Sequence, residues 1–294
     1  MERQVASWLV PSAVAGVVTV WASAFIAIRT GLHGYSPAQL ALLRLAVASV
    51  LFALCAVVQG IRVPSRHDWP HVAVVGVTGF ALYLMLVNIG ETRVSAGMAS
   101  FAVSTGPVFT AILAAVFLGE RMPRKAWGAL AVSISGGVVL LFGARSRFEF
   151  EPYVVVLLGA ALTQAIYFTL QKPLVQRYGG MTVTCWAVWC GTACLLPFLP
   201  DALRAVPHAP WRATLAAVYL GVLPTVVGFA AWAFVLSRAP VGRVTASLYA
   251  VPPVASLIGW LLLNERPSTV GIAGGLVSVG GVALFNREYR KGRQ

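Results

Sequence analysis

Residues 116–123 read VFLGERMP, and residues 261–268 read LLLNERPS. Each is an apolar run that stops at a Glu-Arg pair, and the pairs at Glu120-Arg121 and Glu265-Arg266 are 145 residues apart (265 − 120 = 145). A chain of 294 residues thus carries one kind of helix ending twice, about half its length apart. The match continues at this offset without a gap. Gly76-Val77 falls on Gly221-Val222, Arg93 on Arg238, Gly97 on Gly242 and Pro107 on Pro252. Downstream, Gly136-Gly137-Val138 matches Gly280-Gly281-Val282 after deletion of one residue. The ordered set of Gly, Pro, Arg and Glu reads as an internal duplication, with halves at 1–148 and 149–294 of a single membrane domain.

Composition fixes the solvent. The chain is 59% hydrophobic and 11% charged, whereas a soluble domain carries about a quarter charged residues. So few charges cannot cover a water-facing surface, and no polar stretch is long enough for a separate soluble domain. The first apolar run, Trp8 to Ala27, follows Arg3 and has the outline of a signal peptide. The same pattern recurs along the chain, so it reads as the first span. The net charge of +13 does not point to nucleic acid, because the Lys and Arg residues are scattered between apolar runs. Cys55, Cys185, Cys190 and Cys194 lie inside apolar segments without His or Asp neighbours. They read as small packing residues, and no metal or cofactor is expected.

A bilayer core of about 30 Å needs about 20 apolar residues in a helix. Ten runs qualify, at 8–31, 38–59, 70–90, 96–118, 125–143, 153–171, 181–200, 212–236, 243–263 and 268–286. They lack the two-residue alternation of a barrel strand, and lipid offers backbone groups no partners, so the fold class is an all-α integral membrane protein. Ten is even, so both termini lie on one side. That side holds 14 Lys and Arg and the other holds 7, with Arg44 left inside a span. The positive-inside rule therefore puts both termini in the cytoplasm. Five spans per half is odd, so the second half enters the membrane upside down, giving ten transmembrane helices as two inverted five-helix repeats. Glu120 then closes span four at the cytoplasmic face, and Glu265 closes span nine at the outer face.

Four stretches resemble a known family: WASAFIAIR (21–29), SPAQLALLRLAVA (36–48), FLGERMPRKAWGALAVSISGGVVLLF (117–142) and NERPSTVGIAGGLVSVGGVALF (264–285). Their order and spacing are similar to those of the EamA-type transporters of the drug/metabolite transporter superfamily, over nearly the whole chain. Ala22 and Arg29 stand where that family often has Gly and Lys. The resemblance implies a ten-helix exporter of small metabolites in the bacterial inner membrane, often of amino acids, and within the family it points to the YddG-like amino-acid exporters. Export of drugs, nucleotide sugars or lipids stays open as the alternative, since these differ in pocket chemistry. The expected partners are the bilayer and one small-molecule substrate.

Inverted-repeat transporters place their site near the midplane, at interrupted helices. Pro107 lies 13 residues before Glu120, and Pro252 holds the equivalent place before Glu265. A proline inside a helix removes a backbone bond and favours a kink. The two prolines are either static bends or, with Glu120 and Glu265, paired gates; the Glu-Arg pairs are otherwise plain interfacial ion pairs. Candidates for the lining are Trp21 and Ser23 in span one, Tyr83 and Asn88 in span three, and Ser100 and Ser104 in span four. Gln164 and Tyr167 in span six, Trp232 in span eight, and Ser247 and Tyr249 in span nine complete the set. Rings suit an apolar side chain, while hydroxyls and amides suit the polar end of an α-amino acid. Each polar candidate has the alternative role of bonding a neighbouring helix.

Arg44 sits inside span two, where a charge is costly unless it snorkels, pairs or binds a substrate carboxylate; all three readings stand at this point. The nine acids all fall at span ends, in loops or in tails, and so do the four His residues. Coupling through a buried carboxylate is therefore not expected. Neither is an enzyme, because no mid-membrane cluster of Asp, His or Ser is present.

Overall fold

The computed structural model describes residues 2–117, 124–143, 151–238, 248–264 and 268–291. These residues are almost wholly helical and run as ten spans, of which six are long and apolar enough on their own to cross a membrane. Large apolar side chains such as Val58, Leu262 and Trp211 are strongly exposed on the outside. So much exposed apolar surface belongs in lipid.

Span one is Glu2–Gly31 and span two is Pro37–Gln59. Their separation is written in the turn. Ser36 accepts the Gln39 N–H, and the Gln39 side chain accepts the Ser36 N–H, so two donors left over at the helix start are satisfied at once. Gly60 ends span two in the left-handed region at φ 61, as glycine does at low cost. Span five is Arg124–Gly143, span six Pro152–Tyr178 and span ten Thr269–Lys291. Span seven follows span six across Gly179 alone, at φ 86, and runs Gly180–Leu195, continuing to Ala205.

The remaining spans are interrupted, and in matched places. Span three is a helix Trp69–Gly76, a π-helical segment Val77–Leu82 and a helix Tyr83–Glu91. Span eight repeats the arrangement with Trp211–Leu220, a π-helical segment Gly221–Val227 and Gly228–Arg238. Span four breaks at Ser104-Thr105, between Ala96–Val103 and Gly106–Phe117. Span nine has a short 3-10 turn Leu248–Ala250 at the corresponding place, followed by Val251–Leu263. Pro107 and Pro252, read from the sequence as bends or gates at interrupted helices, stand next to these features. Pro107 stands in the first turn of Gly106–Phe117 and Pro252 in the first turn of Val251–Leu263, where the missing N–H would have had no partner. Glu120, Glu265 and Ser247 lie outside the described residues.

Corresponding spans of the two halves lock together. A Cβ on Gly136 would stand 2.2 Å from the Ser278 nitrogen, and one on Gly281 would stand 2.4 Å from the Ser133 nitrogen. The Ser133 and Ser278 hydroxyls face each other at 3.4 Å. Both relations keep the 145-residue offset (278 − 133 and 281 − 136), so the contact is reciprocal, as across a two-fold axis. The one-residue deletion inferred for the glycine triplets is therefore corrected: Gly136 corresponds in space to Gly281, not Gly280. Spans two and seven meet through Ser49 and Thr192 at 2.7 Å, and span four packs Gly97 against Ser256 of span nine.

Candidate substrate site

Arg44 does not snorkel. It is 8% exposed, and its Nε donates to the Thr225 hydroxyl of span eight at 2.9 Å. The local sequence of span eight explains the partner. Pro224 has no N–H to give to the Leu220 carbonyl four residues back. The Thr225 hydroxyl donates to that carbonyl instead, at 2.9 Å, inside the π-helical segment. Its oxygen is then free to receive Arg44. The span-three counterpart of Pro224 is Gly79, which has an N–H, so this relay exists in one half only. Among the described residues, neither terminal nitrogen of the Arg44 fork has a hydrogen-bond partner. The guanidinium lies close enough to Tyr83 and Glu91 for charge interaction, and the Gln164 side chain lies beside the Tyr83 hydroxyl.

An aromatic wall adjoins this polar group. Trp21 donates its Nε1–H to the Pro224 carbonyl at 3.1 Å, and its ring meets Phe229 and Trp232 at centroid distances of 5.7 and 5.4 Å. Phe229 meets Phe80, and Phe80 meets Tyr167 edge-on, each at 5.5 Å. Both π-helical segments carry an aromatic ring from the first span of the other half. Trp21 lies over Pro224, and the Tyr167 ring lies so close over Gly79 that a Cβ there would stand 2.2 Å from it. Wide turns of this kind recur at functional sites, and offset or tilted ring pairs at 4.5–7 Å are favourable.

A model of the EamA-like transporter family matches residues 9–142 and again residues 152–287. The chain belongs to the EamA-like transporter family. Two matches in one chain agree with the repeat read from the Glu-Arg pairs. A probable terminal-alkyne amino-acid exporter of Streptantibioticus cattleyicolor is 45% identical over 92% of this chain and 91% of its own length. The uncharacterized transporter YdfC of Bacillus subtilis is 40% identical over 94% and 90%. A probable amino-acid metabolite efflux pump of Escherichia coli is 27% identical over 94% of each chain. A crystal structure covers 97% of this chain and 99% of its own with a TM-score of 0.62 at 20% identity, which bears on the fold alone. This EamA chain is a multi-pass membrane transporter and not an enzyme.

Of the residues predicted to line the site, the structure brings Trp21, Arg44, Tyr83, Gln164, Tyr167 and Trp232 to this polar group and its aromatic wall. Other predicted residues are engaged elsewhere. Asn88 donates to the Pro37 carbonyl at 2.8 Å and fastens span three to the start of span two. Ser100 and Ser104 turn back onto the Gly97 and Phe101 carbonyls of their own helix, near the break in span four. Ser23 bonds the Val20 carbonyl at 2.9 Å and the Tyr219 hydroxyl at 2.5 Å, so it joins spans one and eight. Tyr249 lies in the 3-10 turn that opens span nine.

Thr225, Phe80 and Phe229 were missed by the sequence reading. Thr225 had a signal, as the residue after a mid-span proline. The two Phe residues had none to set them apart from other apolar positions. Two of the acids at span ends are more buried than their positions suggest. Glu91 and Glu151 stand at span ends yet are fully buried, at 0% and 2% exposure. Glu91 shares the surroundings of Arg44, and its backbone carbonyl accepts from the Arg29 guanidinium.

Proposed function

We propose that this transporter exports α-amino acids and closely related metabolites from the cytoplasm by alternating access, with the substrate held between the two halves. One observation carries the reading: a guanidinium buried inside the membrane, anchored through Nε and with its terminal fork unpaired among the described residues. A planar fork matches a carboxylate bidentately. A guanidinium inside the membrane is costly unless it is paired, so a carboxylate ligand is its natural complement. Tyr83 and Gln164 offer hydroxyl and amide groups beside it, and the Trp21, Phe80, Phe229 and Trp232 rings suit an apolar or aromatic side chain. The similarity to a probable amino-acid exporter of Streptantibioticus and a probable amino-acid metabolite efflux pump of Escherichia supports the same substrate class.

The excess of Lys and Arg on the side of the termini, 14 against 7, supports a chain with both ends in the cytoplasm of a bacterial inner membrane. Residues 1–148 and 149–294 are then the two inverted modules. Pro107 and Pro252 begin the second segments of the broken spans and act with those breaks as hinges, while Glu120 and Glu265 cap the same spans on opposite faces.

Counterflow into proteoliposomes preloaded with single amino acids tests the substrate class. Exchange with neutral and aromatic amino acids supports it; exchange only with a cationic drug or a nucleotide sugar overturns it.

A further inference from the structure

Two tyrosines occupy the same place in the two halves. Tyr35 follows span one in the stretch HGYSP, and Tyr178 ends span six in the stretch QRYGG. They are 143 residues apart (178 − 35), the same offset as the starts of the two family matches (152 − 9). Each reaches across to the start of the third span of the opposite half. The Tyr35 hydroxyl lies 2.6 Å from the Thr214 hydroxyl in the first turn of span eight. Around it the turn presses on that helix, where a Cβ on Gly34 would stand 2.7 Å from the Ala213 Cβ. The Tyr178 hydroxyl donates to Asp68, just before span three, at 2.5 Å, and accepts the Ser65 N–H at 3.0 Å. Arg177 joins the same carboxylate at 2.6 Å, and the Ser65 hydroxyl joins it at 3.0 Å.

In an inverted pair these two contacts stand at opposite faces. The Tyr178 contact is on the face that holds the termini, and the Tyr35 contact is on the other. We propose that Tyr35 and Tyr178 are matched latches, each holding one face of the transporter shut, and that the structure with both bonds formed is the occluded state. The latches differ in chemistry. Tyr35 makes a neutral bond. Tyr178 makes a charge-assisted bond inside a network with Asp68 and Arg177, and charged bonds are about twice as strong as neutral ones. The face holding the termini is therefore the harder to open, and the transporter at rest favours opening on the other. The inference rests on the alternating-access part of the proposed function and not on its substrate.

The test uses spin-label distances on the full chain in nanodiscs with no substrate present, so its failure is separate from failure of the amino-acid assignment. One label pair replaces the exposed His33 and His208 across the Tyr35 contact; the other replaces the exposed Arg66 and Gln176 across the Tyr178 contact. Tyr178→Phe is expected to lengthen the 66–176 distance and to narrow the 33–208 distribution towards its short limit, because opening one face favours closing the other. Tyr35→Phe is expected to do the reverse. The open-to-closed ratio should move roughly three- to ten-fold for Tyr35→Phe and about ten- to a hundred-fold for Tyr178→Phe. Asp68→Asn and Thr214→Val remove the partners instead and should act in the same directions, which keeps the test open if a tyrosine variant fails to fold. Unchanged distributions overturn the proposal. So does a change confined to the mutated face, since a bond that merely packs two helices would loosen its own face alone.

Discussion

Replacing Arg44 by Gln should remove carboxylate recognition while leaving the helix packing in place. A glutamine amide still presents a donor to Thr225, and Thr225 keeps its bond to the Leu220 carbonyl. What is lost is the fork. Hydrogen bonds to a charged group contribute about 1.5–3 kcal/mol each. Two of them, less the cost of drying the carboxylate, leave about 2–3 kcal/mol of net binding. Each 1.4 kcal/mol is tenfold in affinity, so the half-saturating concentration should rise about 30- to 150-fold. Arg44→Lys keeps the charge but not the planar pair of donors, and should fall between wild type and Arg44→Gln. The assay is counterflow in proteoliposomes with a transported amino acid and with the amine that lacks its carboxyl group. The amino acid should lose affinity steeply in Arg44→Gln, and the amine should be bound weakly by both proteins. A half-saturating concentration within about twofold of wild type, or equal losses for the two compounds, would refute the assignment.

Two further outcomes follow from the same structure. Thr225→Val removes the anchor of Arg44 and should raise the half-saturating concentration about ten- to a hundredfold, the range of one hydrogen bond from a charged donor; Thr225→Ser keeps the hydroxyl and should restore it. Gly281→Ala puts a Cβ 2.4 Å from a backbone nitrogen of span five and should cost about 1–3 kcal/mol through overpacking. Gly280→Ala meets nothing within 4 Å and should be neutral or stabilising by up to about 1 kcal/mol, as a glycine replaced inside a helix. Thermal melting in detergent separates the two glycines.

Much of the fold was legible because lipid leaves the chain few options. Long apolar runs must be helices, an odd number of spans per repeat must invert, and Gly, Pro and Glu-Arg marks at one spacing expose the repeat. The internal detail of the spans was not legible. Nothing in Val77–Leu82 announces a π-helical turn, and only Pro224 hints at one in Gly221–Val227. Pro107 and Pro252 marked the broken helices but suggested a kink, because a sequence does not say whether a proline bends a helix or begins one. Arg44 was legible as a residue in need of explanation. Its explanation was not, since Thr225 lies 181 residues away and the bond depends on a carbonyl that Pro224 leaves without its usual donor. Asn88 shows the converse: its amide signalled a buried partner correctly, but the partner is the Pro37 carbonyl. The burial of Glu91 and Glu151 depends on neighbours that a position at a span end does not reveal.

The central claim is that the two five-helix modules cross the membrane in opposite senses. His33 and Gln176 are exposed, follow or end the first span of each module, and stand 143 residues apart (176 − 33). Single cysteines placed at these positions, in a chain with Cys55, Cys185, Cys190 and Cys194 replaced, can be treated with a membrane-impermeant maleimide on intact cells and on inside-out vesicles. The account predicts labelling of the His33→Cys chain from the outside only and of the Gln176→Cys chain from the cytoplasm only. Labelling of both from the same side would contradict it.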